Sequence, residues 1–489
     1  MKNFSGALMW LTLSEIVYNL SGYIIHAFTG RILGPEAYGR YGIVITLTTM
    51  VIVLVGNGVP TTMSKYLSAA FEKNPGDIYA IRKSAMKLQV IIMGSLTLLF
   101  FLAAPLIASF LGDPTLTPLF RLSSLIIPAF AASSFNLYYF IGLHFFRVQA
   151  LLKTIRSLAR VGFIVTFAYY FGVTGAVTGN ILAPFTVFIT GLLIEAWLTR
   201  TYFPKALSEK SEVLFPWQTL LHYAWPLTVF LLFYELILTA DLYLVKAILG
   251  SDYLTGIYNA AITVGRIPYY LFYALAIILI PAIAKTTSEN DHAETERIVN
   301  KSLRLMTLLL FPLVTLLIAY APQALSLFYG TPYAPAASIM HISVLGVGFL
   351  TVFYILSFAL NGAGLVKIPM KLSIYGVILT VILNLLLIPR YELMGAAFST
   401  TITCFILMLA ILWYTEHHFR VRLSLRTISA SLASAMLIAL AARVLPNGNW
   451  SFLFSGTLLF FTYFTFLRLF RELKHEDIAP LLKAFQRAK

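Results

Sequence analysis

Charge is scarce in this 489-residue chain, and acid scarcer still: Asp, Glu, Lys and Arg together make up 11% of residues, 20 acidic against 35 basic. An ordinary soluble domain carries about 25%, so that class is excluded. The one cysteine, Cys404, lies in an apolar run, which rules out an intrachain disulfide, a zinc knuckle or a cysteine-held iron–sulfur centre. No G-x-x-x-x-G-K-[ST] run occurs and no connection is long enough for a nucleotide-binding domain, which excludes ATP hydrolysis through a P-loop. Glu416-His417-His418 lacks the H-E-x-x-H spacing of a metal site and reads as an exposed helix end. The connections expected outside the membrane hold only Glu36, Asp113, Asp252 and Glu392 as acids, too few for a glycan polymerase or ligase. The chain is therefore expected to be no enzyme and to use no cofactor.

What is abundant is apolar surface: 59% of residues, with a mean hydropathy of +0.84. A hydrocarbon layer about 30 Å thick takes roughly 20 apolar residues per helix. Apolar runs lie near 5–30, 41–67, 86–111, 118–141, 155–173, 175–199, 218–248, 257–285, 302–320, 334–360, 371–388, 393–416, 424–445 and 450–469, which is about 14 transmembrane helices. Lipid cannot satisfy backbone amides, and the runs lack a barrel's alternation, so an all-α integral membrane protein is expected. The first run contains Glu15 and Asn19 and shows no small-residue cleavage site, so it reads as a retained helix and not a signal peptide. With the N-terminus inside, 28 of the 35 Lys and Arg fall in inner connections or tails. The positive-inside rule then places both termini in the cytoplasm of a multi-pass cell-membrane protein. It also accounts for most of the net charge of +15 with no nucleic acid as partner, since the basic residues are scattered between apolar runs.

An internal repeat organises the chain. Leu33-Gly34-Pro35-Glu36, leading to Gly39 and Tyr41, recurs as Leu249-Gly250-Ser251-Asp252, leading to Gly256 and Tyr258. Phe110-Leu111-Gly112-Asp113 matches Phe328-Tyr329-Gly330-Thr331, and Val173-Thr174-Gly175-Ala176 matches Leu393-Met394-Gly395-Ala396. The matches keep their order at nearly constant spacing, and each unit holds six helices. An even number preserves orientation, giving two parallel six-helix repeats. The expected division is an N-lobe at 1–200, a cytoplasmic linker at 201–217, a C-lobe at 218–418, two further helices within 419–469, and an amphipathic cytoplasmic tail at 470–489.

Ionisable groups at membrane depth mark a pathway or a partner. The candidates are Glu15 and Asn19 in the first helix, Arg31 at its outer end, Arg121 in the fourth, Glu235 and Asp241 in the seventh and Arg266 in the eighth. Asp241 and Arg266 each lie roughly 10–13 Å from a helix end and could meet, either as a static interhelical pair or as part of a pathway. Glu15 and Glu235 read either as proton or cation ligands or as carboxyls hydrogen-bonded to another helix. Arg31 and Arg40 also fit the role of interfacial anchors, and the Gly34 and Gly250 motifs that of plain turns.

Arg31-Ile-Leu-Gly-Pro-Glu-Ala-Tyr-Gly-Arg-Tyr-Gly42, Gly58-Val-Pro-Thr-Thr-Met-Ser-Lys-Tyr66 and the basic connection through Arg147, Lys153 and Arg156 resemble the polysaccharide-transport (Wzx-type oligosaccharide flippase) family of the multidrug/oligosaccharidyl-lipid/polysaccharide exporter superfamily. The resemblance spans essentially the whole chain. It implies two six-helix lobes plus two helices, and movement of a polyprenyl-pyrophosphate-linked oligosaccharide to the outer leaflet by alternating access. A polar head of that kind needs a hydrated, cationic cleft. Arg31, Arg121 and Arg266 are then expected on the phosphate, with Asp241 orienting Arg266. Asn19 is expected on sugar hydroxyls, and Glu15 and Glu235 at a coupling H+ or Na+. Rival readings are a flippase for the lipid-linked peptidoglycan precursor and a multidrug/cation antiporter, which would have an acidic cavity.

Overall fold

A computed structural model describes residues 4–55, 58–73, 77–202, 217–289, 291–421, 424–446, 448 and 450–473. Among the described residues all regular structure is helical: α1 (Phe4–Val55), α2 (Gly58–Lys73), α3 (Asp77–Phe110), α4 (Thr117–Ser123), α5 (Ile126–Gly142), α6 (Phe146–Tyr202), α7 (Trp217–Leu249), α8 (Asp252–Gly265), α9 (Ile267–Ser288), α10 (His292–Ala319), α11 (Ala321–Tyr329), α12 (Ala336–Gly362), α13 (Lys367–Phe419), α14 (Leu425–Ala442) and α15 (Ser451–Leu469), with short 3-10 turns at Pro114–Leu116 and Thr331–Tyr333. The expected linker and amphipathic tail fall largely on 203–216 and 474–489, outside the described residues.

Eight of the described helices are long and apolar enough to cross a membrane, and α6 and α13 each carry two of the expected spans. Three long helices are in fact pairs joined at one non-helical residue: α1 at Gly34 (φ 72°, ψ 171°), α6 at Gly172 (φ 60°, ψ −139°) and α13 at Glu392 (φ 48°, ψ −128°). The eighth expected span is broken into α8 and α9 at Arg266, with Pro268 in the first turn of α9, where the missing N–H costs nothing. The fifth span begins earlier than its hydropathy suggests, at Phe146 instead of 155, because the basic residues from Arg147 to Arg160 are part of the helix.

The repeat is written into the backbone. Among the described residues with positive φ, all but Arg420 and Arg471 fall in pairs at the repeat spacing: Gly34 with Gly250, Gly112 with Gly330, His144 with Gly364, and Gly172 with Glu392. Close packing is duplicated too. Gly142 abuts Ser64 and Leu67, as Gly362 abuts Ile280 and Ile283, and Gly175 faces the carbonyl of Phe167 as Gly395 faces that of Leu387.

The chain separates into two compact units, Met1–Gly256 and Ile257–Lys489. In unit 1, Met63, Leu67, Ile81, Phe140, Leu152 and Val187 form an apolar core of α2, α3, α5 and α6. Lipid is as apolar as such a core, so interhelical polar bonds matter more than burial alone. Asn136 of α5 donates to the Phe188 carbonyl of α6 at 3.0 Å. Arg82 of α3 forks onto Glu195 of α6, Nε–Oε1 2.5 Å and Nη2–Oε2 2.7 Å. The two copies of the first repeat motif also meet within unit 1. Gly39 packs on the Asp252 carbonyl and Gly256 on the Pro35 carbonyl, too close for any side-chain atom at either position. This reciprocal crossing of small residues lets the backbones of α1 and α8 touch.

In unit 2 the core is built by α10, α14 and α15 through Leu308, Tyr320, Ile438, Leu459 and Tyr463. Beyond α15, Glu472 is buried and accepts from Thr427 (2.9 Å), Arg304 Nη1 (3.2 Å) and Arg426 Nε (3.1 Å), fastening the segment after α15 to α10 and α14.

Gly172 and Glu392 occupy the same corner, where a side chain beyond glycine costs about 1–3 kcal/mol. Gly172→Ala should lower the thermal midpoint in detergent, whereas Glu392→Gly should leave it unchanged or raise it. Equal losses at both would show that the corners carry no strain.

Candidate functional site

On α6, Lys153, Arg156 and Arg160 are spaced three and four residues apart, which puts them on one helical face. From Phe146 they lie roughly 10–21 Å along the axis, well inside the helix. On α1, Glu15 and Tyr18 share a face for the same reason. The two faces meet. Lys153 Nζ, Arg156 Cζ and Arg160 Cζ stand 5.3, 5.7 and 4.8 Å from the centre of the Tyr18 ring, and Arg156 also lies 4.2 Å over the Phe130 ring of α5. Lys153 is ion-paired with Glu15. Arg156 is 6% exposed, and its Nε makes no hydrogen bond to any described residue. Three cations thus converge on one aromatic ring with one carboxylate to balance them.

The second repeat keeps the tyrosine and drops the charge. At the spacing set by the paired corners, Tyr18 corresponds to Tyr234, while Lys153, Arg156 and Arg160 correspond to Ser373, Gly376 and Thr380. All three of these are buried on α13. The cationic face belongs to unit 1 alone.

Of the residues expected from sequence, Glu15 joins this cluster, and Asn19 is half-buried one position beyond Tyr18. Arg121 is exposed on α4, its guanidinium 5.3 Å from the Phe101 ring of α3. Arg31 is exposed on α1 and Glu235 half-buried on α7. Asp241 is buried on α7, its Oδ1 accepting from the Leu242 N–H at 2.7 Å. Arg266, half-buried, sits at the break that opens α9 in unit 2. Sequence reasoning missed Lys153, Arg156 and Arg160 as site residues because they had been counted as loop charges that set orientation. Their helical spacing was the available signal.

Two further features stand out. In unit 1 a buried ammonium, Lys246 of α7, is 2% exposed and bound by Asp113 (2.9 Å) and Asp252 (2.5 Å). Burial pulls the Asp113 carboxyl up, but hydrogen bonds from Thr115 and Lys246 and the ammonium charge outweigh it and hold the group below its ordinary value. In unit 2 an apolar groove of about 850 Å³ runs between α10, α12, α13 and α14, lined by Phe311, Val352, Leu412 and Leu432, with His341 and Arg443 as its ionisable residues.

Residues 7–287 match the model of the family described as polysaccharide biosynthesis protein, and residues 226–386 match that of MatE. An uncharacterized membrane protein of Methanocaldococcus jannaschii is 23% identical over 406 residues, covering 81% of this chain and 94% of its own. A protein of Shigella flexneri named for O-antigen transport is 25% identical over 433 residues, covering 82% and 97%. Among solved structures, a lipid II flippase MurJ in an inward closed conformation superposes with a TM-score of 0.73 at 15% identity, covering 94% of this chain and 98% of that one. It shares the fold.

Removing the counter-charges of a buried ammonium leaves it uncompensated, at a cost of about 3–5 kcal/mol. The double variant Asp113→Asn/Asp252→Asn should therefore unfold at a lower temperature than wild type. Because the Asp113 carboxyl is held low, its contribution is full above the ordinary aspartate value and is lost as pH falls below it. Thermal melts of the Asp113→Asn variant should lack that acid-side loss.

Proposed function

The chain belongs to the polysaccharide biosynthesis protein family, and from that premise we propose that it is a flippase carrying a polyprenyl-pyrophosphate-linked oligosaccharide across the cell membrane by alternating access. The observation that carries this reading is the convergence of Lys153, Arg156 and Arg160 on Tyr18. With Glu15 as counter-charge the cluster keeps a net positive charge inside an apolar bundle, and such a group calls for an anionic ligand. A pyrophosphate supplies oxygens for charge-assisted, forked hydrogen bonds from arginine, and the Tyr18 ring is a flat surface of the kind that stacks against sugars.

Under this reading the termini are cytoplasmic, the lobes are 1–200 and 218–418, and the cationic cluster lies toward the inner leaflet, where the substrate is loaded. Arg31, Arg121 and Arg266 are further cations along the path, with Asp241 and Asn19 as polar contacts and Glu15 and Glu235 as carboxylates for a coupling H+ or Na+. The MatE match keeps a cation antiporter as the second reading, and the positive cluster argues against it, since a cation-binding cavity needs carboxylates.

The test is complementation. The gene should restore surface polysaccharide to a strain lacking its own glycan flippase. Arg156→Ala and Arg160→Ala, expressed at normal levels and eluting as folded protein, should each reduce it at least about ten-fold, equivalent to one lost charge-assisted contact of about 1.4 kcal/mol or more. Undiminished export by both variants would overturn the assignment of this site, and drug efflux without glycan export would favour the antiporter.

A further inference from the structure

Glu15 is more than half exposed, with 54% of its side chain accessible, yet it is ion-paired to a Lys153 that is only 15% accessible. The carboxylate therefore reaches in from the open side of the cluster and caps one of its three cations. Arg156 and Arg160 face the same Tyr18 ring, and Arg156 keeps a buried Nε that no described residue satisfies. An arginine held over two aromatic rings with an unsatisfied donor is preorganised for an acceptor that the chain does not provide.

We propose that Glu15 is a resident counter-ion: it occupies part of the anion site when no substrate is bound, and the substrate's phosphate groups must displace it from Lys153. This rests on the reading of the cluster as the pyrophosphate site and adds a selectivity rule to it. A half-exposed ion pair is weak because water screens it, so displacement is feasible. It nonetheless sets a charge threshold. A ligand carrying one phosphate gains less from the cluster than a diphosphate does, while both must displace the same carboxylate. Glu15 thereby holds off singly phosphorylated and zwitterionic headgroups, which dominate the surrounding bilayer, and admits the pyrophosphate. Glu15 faces Lys153 of α6, and Lys153 lies in turn against the Tyr18 ring of the same helix as Glu15. Lys153 loses its carboxylate partner when the anion enters, and Glu15 is then free to bind a cation.

The experiment uses the full chain in phosphatidylcholine nanodiscs and measures calorimetric binding of geranyl diphosphate and geranyl monophosphate. Wild type should prefer the diphosphate. Glu15→Gln, which alters no packing at an exposed position, should bind both probes more tightly. The gain should be similar for the two, up to about five-fold, because both displace the same carboxylate. Glu15→Asp, which keeps the charge, should behave like wild type. If Glu15→Gln binds both probes as wild type does, or more weakly, the counter-ion role is overturned. Loss of binding in Arg156→Ala would still uphold the site itself. Equal binding by wild type and Arg156→Ala, or none by any variant, would overturn the site and with it this inference.

Discussion

Placing cations in an apolar helical bundle is the constraint on which the rest of this structure turns. Each guanidinium or ammonium over an aromatic face gains about 0.5–2 kcal/mol. Two like charges some 6–8 Å apart cost about 2–3 kcal/mol at an effective dielectric constant near 20. Attraction to the Tyr18 ring and mutual repulsion of Lys153, Arg156 and Arg160 are therefore of similar size, and neither holds the cluster together. Helix packing does. α1 and α6 bring the faces together, and the positive charge is carried as a standing cost. Structural ion pairs in the same unit look different: Arg82 is matched by Glu195, and Lys246 by Asp113 and Asp252. Among the described residues the cluster around Tyr18 has one carboxylate for three cations, and that imbalance sets it apart from a brace.

The repeat explains how such an imbalance is tolerated. Duplication fixes the backbone, since the corners at Gly172 and Glu392, the turns at Gly112 and Gly330, and the crossings at Gly142 and Gly362 all recur. These are steric requirements, and they leave the helix faces free to differ. In the second copy the equivalent face carries Ser373, Gly376 and Thr380, all buried, which pack closely and add hydroxyls without charge. Glu392 shows the same freedom in reverse: it keeps glycine-like dihedrals without being glycine, so the corner is dictated by the surrounding packing more than by the residue that occupies it.

Much of the architecture was legible in the sequence because lipid allows few solutions. Apolar runs must be helices, and their order and duplication followed from hydropathy and spaced glycine motifs. What failed to show was the join between runs. Gly34, Gly172 and Glu392 link spans through single residues, where hydropathy had suggested loops. The start of α6 at Phe146 was hidden because basic residues lower local hydropathy without ending a helix. The candidate site was less legible still. The Glu15–Lys153 pair joins residues 138 positions apart, and no local pattern announces a partner at that distance. What the sequence did hold was the three-and-four spacing of the α6 cations, which distinguishes one helical face from a basic loop.

The asymmetry between the repeats bears on mechanism. Had both copies carried the cationic face, an anionic headgroup would meet two equivalent sites and have no electrostatic reason to favour either. With the charge in unit 1 alone, the positive field is concentrated on one pair of helices, α1 and α6. α1 is also the helix whose Gly39 packs against the first turn of α8. The cationic face around Tyr18 and this crossing thus lie on the same helix. Gly34 lies between the two, and its non-helical dihedrals interrupt the hydrogen-bond ladder there. A helix interrupted at one residue can bend at that residue more readily than it can translate whole. The cationic face, the break and the crossing therefore follow one another along α1.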